Sequence, residues 1–112
     1  MKPLSIRYNL EKFAKPGKPL SIKSFVIREV NGNDEEMAAQ ASRAKGPGTT
    51  LMEELIRLAI TEVDGQPVEQ PFGGYDSWNS RTRTFVTNAF RALNAVDPAE
   101  LPDFFGAGEP LP

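Results

Sequence analysis

The stretch "FVIREVNGNDEEMAAQASRA", residues 25–44, decides the fold because it changes periodicity midway. Phe25-Val26-Ile27 is a solid apolar run of the kind a buried strand uses, and Asn31-Gly32 breaks it. From Asp34 the chain becomes Ala-rich and helix-forming. The three acids at the junction, Asp34-Glu35-Glu36, pose the first functional question, since clustered carboxylates serve metal sites as well as helix starts. Asn33 followed three residues later by Glu36 has the form of a capping box, with Asp34 and Glu35 in the first turn, where the helix dipole favours negative charge. A calcium loop would need further oxygen ligands at alternate positions, and that spacing is absent. The acids are therefore expected to start a helix.

Working outward toward the N-terminus, "LSIRYNL" alternates Leu4, Ile6, Tyr8 and Leu10 with polar residues, the period of a half-buried strand. "KPGKP" is a turn, and "LSIKSFVIREV" resumes the strand pattern, so the two segments predict an antiparallel hairpin or a pair of neighbouring strands. Toward the C-terminus, "KGPGTT" ends the Ala-rich helix. Thr50 with Glu53 forms a second capping box ahead of "LMEELIRLAI", whose broad apolar surface predicts a buried helix. That run passes into a small hairpin about Asp64-Gly65. Asp76 is the expected cap of a long helix over "WNSRTRTFVTNAFRALNAV", carrying an apolar stripe of Trp78, Phe85, Val86, Ala89, Phe90 and Leu93. Asp97-Pro98-Ala99-Glu100 opens a short helix ending near Phe105. The expected fold is α+β, a small antiparallel sheet with an N-terminal hairpin packed against about four helices. Residues 1–105 form the single expected domain, and 106–112 a flexible C-terminal tail.

Composition excludes much chemistry. The 112 residues contain neither cysteine nor histidine, which removes thiolate nucleophiles, disulfides and the commonest general base and metal ligand. Glu53 and Glu54 are adjacent on a helix, point in different directions, and read as a solvated face. No glycine-rich phosphate loop occurs, and the residues predict no catalytic site, no metal and no cofactor. The start of the chain lacks an apolar signal segment, and no apolar run approaches the ~20 residues of a membrane span. A soluble cytoplasmic protein is the expectation.

Charge is unevenly spread. The first 28 residues carry seven Lys and Arg against Glu11 alone, while the whole chain has a net charge of −2, so the remainder is acidic. Such a basic arm fits an acidic partner or nucleic acid. Lysines that guard an edge strand and its loop are the commoner reason for such spacing. The pI of about 5.2 and the lack of a motif with interleaved stacking aromatics argue against nucleic acid. Candidate partner-binding residues are Met37 and Ala41 on the Ala-rich helix, Trp78, and the cluster Leu101, Phe104 and Phe105. Trp78 also belongs to the apolar stripe and suits the core. The adjacent rings Phe104 and Phe105 cannot easily share one core, which makes them candidates for burial by a partner.

Taken in order, "FVIREVNGNDEEMAA", "LMEELIRLAITEVDGQPV" and "DSWNSRTRTFVTNAFRALNAVDPAELPDFF" resemble the small tail assembly proteins, or tail assembly chaperones, of tailed bacteriophages and prophages. The resemblance spans roughly residues 24 to 105 and includes no catalytic signature. It implies a non-enzymatic factor that binds the tape measure protein or another tail component in the host cytoplasm. A structural baseplate or tail subunit retained in the virion is the alternative. A third reading is a small nucleic-acid-binding regulator using the basic arm, and a homo-oligomer is left open.

Overall fold

The computed structural model describes residues 4–46 and 50–94, together with the backbone of residues 109–110. Strand β1 (Ser5–Asn9) pairs antiparallel with β2 (Ser24–Arg28), from Ser5 opposite Arg28 to Asn9 opposite Ser24. β2 pairs on its other side with β3 (Ile60–Val63), which turns into the two-residue β4 (Gln66–Pro67). On the far side of β1 lies β5 (Glu109–Pro110), giving the order β4-β3-β2-β1-β5. Of the expected tail 106–112, the described backbone at 109–110 is thus paired with Ile6 and Arg7. Consequently β1 is paired on both sides at Ile6 and Arg7.

The apolar run of β2 is buried because it is central. Phe25 and Ile27 face the main core, and Val26 occupies the other face at 3% exposure. Val26 stands between Arg7 and Glu62 in register, and the Arg7 guanidinium reaches across β2 to the Glu62 carboxylate at 2.9 Å. The stems of these two side chains can shield Val26 while their heads stay wet. In β1, Tyr8 and Leu10 are buried and Ile6 half-buried, as the alternation predicts, whereas Leu4 is exposed.

Three α-helices complete the described part. Helix α1 (Gly32–Lys45) begins two residues earlier than expected. Its cap is Asn31, whose side chain accepts the Asp34 N–H at 3.1 Å while Asp34 accepts the Asn31 N–H at 2.9 Å. The capping box is therefore Asn31/Asp34, at the same spacing as the expected Asn33/Glu36. Helix α2 (Leu51–Ala59) is capped by Thr50 as expected and runs straight into β3, where β-branched Ile60, Thr61 and Val63 favour extended backbone. Asp64 and Gly65 both have positive φ, 52° and 82°, as a two-residue type I′ hairpin requires.

Helix α3 (Ser80–Asn94) packs Phe85, Val86, Ala89 and Phe90 into the core beside Ile56 and Ala59 of α2. Its cap is Asn79, not Asp76: the Asn79 Oδ1 accepts the Thr82 N–H at 2.9 Å. Asp76 sits in the preceding 3-10 turn, Gly73–Ser77. Trp78 lies before α3 in extended backbone rather than on its stripe, and is buried against Phe72 and Tyr75. The helix expected after Asp97 falls outside the described residues. No helix among the described residues is long and apolar enough to cross a membrane.

Candidate partner-binding surfaces

Charged groups inside the fold are largely spent on one another. The Arg28 guanidinium grips Asp34 fork to fork and also donates to the Leu58 carbonyl at 3.1 Å, joining β2, α1 and α2. The Arg28 hydrogen bond holds the Asp34 carboxyl below the usual carboxylate range, against the opposing effect of burial. Glu54 corrects the reading of a solvated acidic face. It is 2% exposed and receives Arg57 at 3.0 Å and Lys45 at 2.8 Å. Arg57 is itself buried, lies over the Tyr75 ring, and reaches Asp76 with its other terminal nitrogen. Burial works against its charge, but the Asp76 hydrogen bond and the charges of Asp76, Glu54 and Glu53 outweigh that and raise its pKa. These ion pairs brace the scaffold. Among the described residues no group of three or more acids is arranged to hold a metal.

Among the described residues, two surfaces stand out for contact with other molecules. The first is the outer face of α1, where Met37 is 54% exposed and Ala41, one turn on, is half-buried; Ala38 beside them is fully buried. Small alanines keep this face thin and let a second helix approach closely, and Met adapts to irregular partners. Trp78 is part of the core and offers little to a partner. Leu101, Phe104 and Phe105 lie outside the described residues.

The second surface was not legible as a site. It is a groove of about 690 Å³ lined by Phe13, Lys15, Lys18, Arg81, Thr84, Phe85 and Asn88. Residues 13–21 of the arm are fastened to the start of α3 by side-chain hydrogen bonds. Arg81 donates to the Phe13 carbonyl at 3.0 Å, Asn79 donates to the Pro19 carbonyl at 2.9 Å, and the Ser21 N–H donates to the buried Thr82 hydroxyl at 2.8 Å. The Phe13 and Phe85 rings pack 5.2 Å apart, with the Arg81 guanidinium over Phe85. The arm's charge is visible in sequence. Its docking on a helix more than 60 residues away is not.

Another groove, of about 450 Å³, runs between α2 and α3 and carries Glu53 together with Arg83 and Arg91. Compared with known proteins, the chain matches no family model, no curated protein and no solved structure.

Proposed function

We propose that the chain is a non-enzymatic tail assembly factor of a tailed phage or prophage. In this reading it acts as a chaperone in the host cytoplasm and captures the tape measure protein or another tail component. The observation that carries this reading is the thin α1 face with Met37 exposed and Ala41 beside it. A largely helical client would present apolar stripes before assembly, and such a face can cover one as helix against helix. The deployment of charge supports it as well. The buried charged groups Asp34, Glu54 and Arg57, with half-buried Arg28, are consumed in ion pairs that hold elements together. The resemblance of the motif order to that of tail assembly proteins is what points to a tail component as the client.

Mass spectrometry of assembling lysate and of purified particles tests the chaperone role. The chain is expected with the client in lysate and missing from finished particles. Stoichiometric retention in particles would make it a structural baseplate or tail subunit.

A further inference from the structure

We infer that the groove between the arm and α3 is a docking site for a carboxylate-rich protein segment that also bears apolar side chains. This rests on the protein-binding reading above and adds a second contact, separate from the α1 face.

The argument starts at the turn. Pro16 and Gly17 occupy the two centre positions of a tight turn, with Gly17 at φ +79°, and Lys15 and Lys18 exchange backbone hydrogen bonds across it. Two lysines are thereby held directly opposite each other, an arrangement that costs stability through like-charge repulsion. Among the described residues neither lysine has a carboxylate within ion-pair distance, and the same holds for Arg81. Three cations therefore line one groove, and no acid stands among its described lining residues. A ligand with several carboxylates would neutralise them together, with Thr84 and Asn88 able to donate further hydrogen bonds.

The rest of the lining selects among anions. Phe13 and Phe85 give the groove an apolar component that a bare phosphate chain would not use but a Phe- or Leu-bearing peptide would. The volume lies within the ~300–1,000 Å³ of discrete ligand pockets rather than forming a long stripe. A nucleic acid following its backbone beyond the groove would also meet a chain that is net acidic outside the first 28 residues. Charge complementarity with apolar contact thus favours an acidic peptide over nucleic acid.

The test is fluorescence anisotropy with the full chain and a fluorescein-labelled peptide of alternating Glu and Phe. Its Gln/Phe counterpart and an oligothymidylate strand are measured alongside. Binding of the Glu/Phe peptide is expected, weakened by salt, and at least about tenfold tighter than the Gln/Phe peptide or the oligonucleotide. Lys18→Glu should weaken it about tenfold. Arg43→Glu on α1 makes the same change in net charge and should leave it intact. Lys18 is exposed and its turn is held by backbone bonds, so the variant retains the fold. No binding, equal binding of the Gln/Phe peptide, equal loss in both variants, or tighter binding of the oligonucleotide would each overturn the proposal. Failure here leaves client capture by α1 standing, and failure of client capture leaves peptide binding standing.

Discussion

Arg28 and Asp34 meet through two parallel hydrogen bonds, 2.8 and 3.0 Å long, and so lock the end of β2 to the first turn of α1. The same carboxylate closes the capping box with Asn31. One side chain thus serves both helix initiation and a tertiary ion pair.

Asp34→Asn should keep much of the cap and lose the charge-assisted pair, destabilising the fold by about 2–3 kcal/mol at pH 7. Because the folded carboxyl is held below its usual pKa, its contribution is present above the unfolded value, near ~3.9, and is lost as pH falls through the folded one. Urea denaturation from neutral to acid pH should show wild type and variant converging at the acid end. A pH-independent gap would mean that Asp34 acts through packing alone.

Glu54 and Asp76 share Arg57 but differ in burial, with side-chain exposures of 3% and 60%. Glu54→Gln leaves an enclosed guanidinium short of its main buried counter-charge and should cost about 3 kcal/mol. Asp76→Asn should cost less than ~1 kcal/mol, because water can replace the lost charge. Denaturation midpoints of the two variants distinguish these values, and equal losses would contradict the ranking.

The Asp64 Oδ1 accepts the N–H groups of Lys23 and Ser24 at 2.6 and 3.1 Å, pinning the β3–β4 hairpin to the start of β2. Asp64→Ala should cost about 1–3 kcal/mol through those donors. Asp64→Gly loses the same bonds but accepts φ +52° freely, so it should retain roughly 1 kcal/mol more stability than the alanine variant. Thermal unfolding of the pair measures the difference.

Local signals carried well from sequence to structure, and tertiary ones did not. The strand-to-helix change after Val30, the Asp64-Gly65 turn and the Phe85/Val86/Ala89/Phe90 stripe are written in neighbouring residues and recur in the fold. Caps slipped because Asn31/Asp34 competes with Asn33/Glu36 at identical spacing, and Asn79 stands three residues beyond Asp76. The burial of Glu54 was hidden because its partner Arg57 reads as surface charge until Tyr75 and Asp76 close over it. Of the candidate partner-binding residues, Met37 is exposed and Ala41 half-buried, and Trp78 lies in the core that its apolar neighbours suit. The arm-to-α3 groove needs contacts between residues 13–21 and 79–82, which periodicity cannot supply.

The most direct measurement of the central claim is a pull-down of the tagged chain co-expressed with a tape measure protein, the client proposed above. Wild type is compared with Met37→Asp, a change at an exposed position that leaves the core untouched. The expected result is copurification of the client with wild type and its loss in a variant whose unfolding curve is unchanged. Absence of the client from the wild-type eluate, or equal capture by Met37→Asp, would contradict the assignment of α1 as the client-binding face.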